Sequence, residues 1–226
     1  MLLDSPPARR QRRSADIRAL LLDTAERLFS ERGYFGASVR DITDAAGLRL
    51  ASVNYHFGSK EALLGEVVRR RAVILRDNRL ATLKAALRQG GDVEARLRAI
   101  VTAFVGPMIV RCLEGGEPWR RYFVLIAQLT TLPANPEDRL DYFDEVARAY
   151  IEAFQALSPQ VTPFRAHATF QFMLGVALSV VCDNRHLDRL SAGRFHSSDF
   201  QALAAPLAEY LTAGALAGLG LREHGT

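Results

Sequence analysis

The sequence predicts an all-α chain in two parts, a small N-terminal helical domain joined by a long helix to a larger C-terminal helical bundle. Three observations carry this. Apolar residues recur at i, i+3, i+4 and i+7 over most of the 226 residues, with no alternating stretch to compete as a strand. Glycines and prolines cluster at intervals that cut this periodicity into helix-length pieces. The charge also changes sign along the chain: residues 1–90 hold 17 Lys+Arg against 10 Asp+Glu, and residues 91–226 hold 12 against 15. A basic front segment suits a polyanion, and the acidic remainder suits some other task.

The elements follow in order. Residues 1–13 read as a disordered basic arm, because Pro6-Pro7 is followed by Arg9, Arg10, Arg12 and Arg13 with nothing apolar to bury. From Ile17 the apolar positions Leu20, Leu21, Ala25, Leu28 and Phe29 make a one-faced helix, capped by Ser14 and ended by Gly33. Ser38 can accept from the first-turn amides of a second helix while Asp41 reaches back to the Ser38 N–H. Gly47 breaks that helix, and a short third segment runs from Arg49 to Tyr55, ahead of Gly58-Ser59. Ser59 caps a long fourth helix, with Glu61 favourable at its positive end, which runs to about Gln89 before Gly90-Gly91. These assignments place one domain at residues 14–60 and a second at 61–226. Beyond residue 91, helices are expected at 93–105, 107–113, 118–131, 137–158, 163–184 and 199–219.

Composition narrows the function classes. With 49% hydrophobic and 24% charged residues the chain should fold in water. No uninterrupted apolar run approaches the roughly 18 residues of a membrane span, and the opening Met1-Leu2-Leu3-Asp4 is unlike a signal peptide. The two cysteines, Cys112 and Cys182, form no Cys-x-x-Cys pair and suggest a reducing compartment, hence a cytoplasmic protein without a membrane partner. There is no nucleophile elbow, no Gly-rich phosphate loop and no metal-ligand spacing, and His167, His186 and His196 are too scattered for a metal pair. A cofactor-free protein that is not an enzyme is therefore expected.

Two short helices about a glycine within residues 38–57 have the spacing of a helix-turn-helix, in which Gly47 supplies a positive φ. Ile42, Ala46, Leu48 and Val53 would pin both helices on the first, leaving the polar face of the second free for a major groove. The run Val53-Asn54-Tyr55-His56-Phe57-Gly58-Ser59-Lys60-Glu61-Ala62-Leu63, after Val39-Arg40-Asp41-Ile42 and Gly47, resembles the signature of the tetracycline-repressor (TetR) family over residues 15–65. That resemblance implies an all-helical homodimer with an N-terminal three-helix DNA-binding domain and a C-terminal ligand-binding and dimerisation bundle. In such regulators a small molecule in the C-terminal domain changes the spacing of two DNA-reading heads.

Carried over by position, the resemblance implies DNA contacts from Ser38 and Arg40 at the start of the second helix and from Arg49, Leu50, Ala51, Ser52 and Asn54 on the recognition helix. Tyr55, His56 and Lys60 match phosphate-contacting positions. The chemistry agrees: Arg can fork onto guanine, Asn onto adenine, and Leu or Ala can touch a thymine methyl, while hydroxyl, imidazole and ammonium suit phosphate oxygens. Thr43 stands where the family often has Ala and Asn54 where it usually has Tyr, so the base-reading pattern is this chain's own. Leu50 could instead pack inward, Phe57 suits the core, and His56 could be a packing histidine. The basic arm could be a solvated tail or could reach a neighbouring minor groove.

The C-terminal helices offer an apolar cavity lined by Phe104, Met108, Trp119, Tyr122, Phe123, Phe143 and Phe172, unless these form an ordinary core. Arg111, Arg120, Arg121 or Arg148 could anchor an acidic ligand head there. The segments 119–132, 141–143 and 172–175 resemble the fatty-acid-degradation branch of the family, which implies a fatty acid or acyl-coenzyme A effector. Small residues in 163–184 and 199–219, among them Ala168, Gly175, Ala205 and Gly214, suit close pairing of those helices with their twins in a homodimer. A palindromic double-stranded operator read by that homodimer follows. A helical lipid-binding carrier and a helical enzyme are the alternatives; neither accounts for the basic front segment.

Overall fold

A computed structural model describes residues 6–130 and 141–221, with side chains from residue 11 and, in the second stretch, from residue 143. Among the described residues the regular structure is helical: α1 (Pro6–Gly36), α2 (Val39–Ala45), α3 (Ala51–Phe57), α4 (Lys60–Ala86), α5 (Val93–Glu114), α6 (Gly116–Thr130), α7 (Asp141–Gln155), α8 (Pro163–Val181), α9 (His186–Leu190) and α10 (Phe200–Leu219). The chain forms two compact units, one ending at Arg70 and one beginning at Arg71.

In the first unit α1 begins earlier than expected. The segment read as a disordered arm is helix from Pro6 onward, while residues 1–5 lie outside the described residues. Prolines are tolerated in a first turn, where the missing N–H has no partner anyway, and Ala, Arg and Gln are all strong helix formers. Burial, the criterion that suggested disorder, is not required for a helix that continues a packed one. Gly33 interrupts α1 as expected, with φ of 72°.

The caps around α2 follow the sequence closely. Ser38 Oγ accepts from Asp41 N at 3.1 Å, and the Asp41 carboxylate accepts from Ser38 N at 2.8 Å. The Ser38 hydroxyl and then the Ser38 N–H both donate to the Asp41 carboxylate and, with the charges of Arg32 and Lys60, hold it below its ordinary range. After α2, Gly47 sits at φ 66°; its N–H bonds Asp44 O and the Leu48 N–H bonds Thr43 O, a Schellman closure that turns the chain into α3. Gly58 ends α3 at φ 82°, and Ser59 Oγ then accepts from Ala62 N, capping α4 as expected.

Leu21, Ala25, Leu28 and Phe29 of α1, Ile42 of α2, Val53 of α3 and Leu63, Leu64 and Val67 of α4 are all essentially buried, each large side chain stabilising the unit by about 2 kcal/mol. Ala46 and Leu48 are half-buried rather than central. Polar ties add direction: Arg70 holds Asp23 at 2.7 Å and the buried Glu26 through Nε and Nη2, and Arg18 pairs with Glu66.

In the second unit α10 packs on α5 and α8, with α6 and α7 also against α8. The break expected at Gly106-Pro107 does not occur, and α5 runs through it. Pro107 deprives the Ala103 carbonyl of its helical donor, but Thr82 Oγ1 of α4 donates to that oxygen at 2.8 Å. Asp92, Thr162 and Asp199 cap α5, α8 and α10 through their side chains. The short α9, not expected, is tied by Asp188, whose carboxylate accepts from Ser197 N, Ser197 Oγ and His196. Those bonds hold its carboxyl far below the ordinary range.

Both α8 and α10 reach a mean hydropathy of 1.3 over 18 residues, long and apolar enough by composition to cross a membrane, although no uninterrupted run of that length was expected. Helices that pack in bundles pass the same test. Only 39% and 28% of those windows are buried within the chain, which leaves both with an apolar outer side.

Candidate nucleic-acid interface and effector cavity

Helix α3 sorts its residues by phase. Val53 is fully buried beneath it, while Ala51, Asn54 and Tyr55 are exposed, Tyr55 at 77%. Arg49 and Leu50, just before the helix, are also exposed; Leu50 faces outward rather than packing inward. Ser52 and His56 are half-buried at its edges, and the His56 ring meets Tyr55 edge-on with centroids 4.9 Å apart. Phe57 is half-buried rather than central, with the Arg18 guanidinium 5.1 Å from its ring centre.

On α2, Arg40 projects into solvent beside Asp44, at 3.8 Å. Ser38 is exposed at the N-terminus of that helix. The departure at Thr43 is absorbed locally: the residue is buried, and its hydroxyl reaches the Val39 and Arg40 carbonyls at 3.1 Å each. Lys60 differs from the other matched positions. Its ammonium donates to Tyr34 O at 2.6 Å and lies 4.2 Å from the centre of the Tyr34 ring, so it also fastens the end of α1 to the start of α4. Arg40, Arg49, Asn54 and Tyr55 are thus all exposed on or beside the two short helices.

The second unit holds a cavity of about 580 Å³ that opens to solvent. Phe104 and Met108 of α5, Tyr122 and Phe123 of α6 and Phe143 of α7 line it. Trp119 and Phe172 do not. Trp119 is buried against Tyr122 and Phe123 with the cations of Arg71 and Arg111 over its ring. Phe172 lies on the far side of α8, 67% exposed, because Phe164, Ala168, Gln171, Leu174 and Leu178 set the cavity-facing phase of that helix.

None of the four arginines considered as ligand anchors lines the cavity. Arg111 stacks on Trp119, Arg121 pairs with Glu117 at 3.3 Å, and Arg148 is exposed and bonds to Asp144 O. Arg79 lines it instead, only 3% exposed. In the sequence it sits in an arginine-rich helix and looks like one more solvated cation; its place three turns past the buried Val67 and Val68 was the available signal. Among the described residues no cluster of three or more His, Cys, Asp or Glu could hold a metal.

Residues 21–67 match the family described as bacterial regulatory proteins, tetR family, and residues 102–214 match the tetracyclin repressor-like C-terminal domain, which is half of the chain. The HTH-type transcriptional repressor KstR2 of Rhodococcus jostii is 38% identical over 97 residues, 43% of this chain and 46% of the relative. The HTH-type transcriptional activator FasR of Mycolicibacterium smegmatis is 38% identical over 87 residues, 38% of each chain. These alignments therefore span less than half the length of either relative. The structure of the regulator FadR from Bacillus subtilis in complex with stearoyl-CoA superposes with a TM-score of 0.52 at 14% identity, over 87% of this chain and 98% of that one, a likeness of fold. With both halves matched and the helix-turn-helix formed by the residues that suggested it, the chain belongs to the TetR family of bacterial regulatory proteins.

Proposed function

We propose that the protein is a ligand-responsive transcriptional regulator, a repressor by the family's usual sign, that binds a palindromic operator as a homodimer in the cytoplasm and is released by a small apolar or acyl effector. The observation that supports it most directly is the outward set on and beside α3: Arg49, Leu50, Ala51, Asn54 and Tyr55 exposed above a fully buried Val53. Exposed Leu50 and Tyr55 gain little from water, whereas thymine methyls and phosphates would cover them. Ser38, Arg40, Ser52, His56 and Lys60 border that set and complete the contact surface. An enzyme or a plain lipid carrier would have no use for it, and the matched relatives are named as regulators.

The apolar outer sides of α8 and α10, with Phe172, Gly175, Ala205, Tyr210, Ala213 and Gly214 exposed, are the surfaces we assign to the homodimer. Sedimentation at micromolar concentration should give a dimer; a monomer would remove the two-headed reading of a palindrome. The effector reading draws on the aromatic-lined cavity and, by analogy, on the stearoyl-CoA bound in the Bacillus subtilis relative.

The test of DNA binding is a titration of the protein on duplex fragments selected from the source genome, followed by fluorescence anisotropy at several salt concentrations. Steeply salt-dependent binding is expected. Lys60→Ala should lower the slope of log K against log salt by about one unit per DNA-bound head across all fragments. It should also lower stability, since it removes the clasp on Tyr34. Salt-independent binding by the unaltered protein would end the assignment.

A further inference from the structure

Arg79 is a buried cation that the fold does not account for. Its Nε donates to Phe104 O at 3.2 Å, Nη2 meets the Met108 thioether at 2.6 Å, and the guanidinium lies 3.8 Å from the Phe104 ring centre. A carbonyl, a sulfur and a π face are all neutral partners. Among the described residues no carboxylate pairs with it, although buried arginines are ordinarily paired. Repair of the Pro107 break is not its purpose either. The carbonyl freed there is that of Ala103, which Thr82 takes, whereas Phe104 O already has the Met108 N–H in the regular helical pattern.

The charge nonetheless persists. Burial pushes the guanidinium pKa down to about 10, still well above neutral pH, so the cation is present inside an apolar cavity. The cavity's exposed polar residues lie elsewhere along its lining, at Thr130, Asp144, His167 and Gln171. An occupant therefore has both water-exposed polar groups and the buried Arg79 guanidinium within the same lining. A cavity of about 580 Å³ has room for an acid of medium to long chain.

Building on the proposal that this cavity takes the effector, we infer that Arg79 is its anion anchor and that the effector is a free amphiphilic acid, inserted carboxylate first. Its apolar body then lies among Phe123, Ile126, Ile151 and Leu178. An acyl-coenzyme A would enter the other way, its chain end against the cation and its phosphates outside, leaving the buried charge uncompensated.

Calorimetric titration of the full-length protein without DNA, using dodecanoate, dodecanol and dodecanoyl-coenzyme A, tests this. Dodecanoate should bind at least roughly tenfold more tightly than dodecanol, the ratio a charge-assisted hydrogen bond supplies. Arg79→Met should abolish that ratio, and Arg79→Lys should keep part of it. Equal or tighter binding of dodecanol, preference for dodecanoyl-coenzyme A, or no binding of any of the three would overturn the inference. If Arg79→Met does not fold, the comparison in the unaltered protein decides alone. Tight dodecanoate binding that leaves operator affinity unchanged would instead count against the regulator reading and leave Arg79 as the anchor.

Discussion

Arg40→Ala should weaken operator binding by roughly tenfold to a hundredfold, the cost of one base-reading arginine, with no measurable loss of thermal stability. The two halves of this expectation rest on the same geometry. The Arg40 side chain is 84% exposed, and its ion-pair neighbour is Asp44 at 3.8 Å, an exposed pairing worth at most about 0.5 kcal/mol. Nothing in the fold therefore depends on it. Unlike Lys60, whose loss should be felt equally on all duplexes, Arg40 should be felt most on the selected operator and least on random DNA. Paired anisotropy titrations on the two duplexes give the answer. Equal losses on both would demote Arg40 to a phosphate contact, and no loss on either would take α2 out of the interface.

Gly115→Ala should cost about 3 kcal/mol, a large effect for one methyl group. A Cβ at this position would stand 2.0 Å from Trp119 Cδ1 and 2.6 Å from the Arg111 carbonyl oxygen. Neither can yield cheaply. The carbonyl belongs to the last turn of α5, and the indole is held between Tyr122, Phe123 and the guanidinium groups of Arg71 and Arg111. The α5–α6 corner must open instead, which moves Tyr122 and Phe123 at the cavity wall. Calorimetric unfolding should show a midpoint lowered by roughly 10 °C. Gly65→Ala is the control: a Cβ there meets nothing within 4 Å, and replacing a mid-helix glycine should raise stability by up to ~1 kcal/mol. A Gly115→Ala midpoint matching that of the control would show that Trp119 moves more freely than its packing implies.

The local features that could be read from residue order share a short range. Ser38 with Asp41, Gly47 and Ser59 are caps and turns whose partners lie within five residues, so the chemistry that defines them is visible in a window of that size. The helix-turn-helix is built from these local signals, and for that reason it was legible. The helical start of residues 6–13 reflects propensity, an equally local property, rather than burial.

The features that were not legible depend on residues far apart in the chain. Pro107 reads as a helix breaker until Thr82, on another helix, supplies the donor that its backbone lacks. Phe172 and Trp119 read as cavity aromatics until the phase of α8 and the packing at the α5–α6 corner turn them away. Arg79 shows the contrast most sharply. Composition counts it among the 17 basic residues of a positively charged front segment. Its burial against Phe104 and Met108 makes it a different chemical object, since a cation's effect depends on what replaces its water. Residue order was thus sufficient for most of the helices, the helix-turn-helix and the sign of its charge, which arise from contacts within a turn or two. The shape of the cavity and the buried cation in its wall had to await the packing of α4 through α8, because burial is a property of neighbours that the chain brings together only by folding.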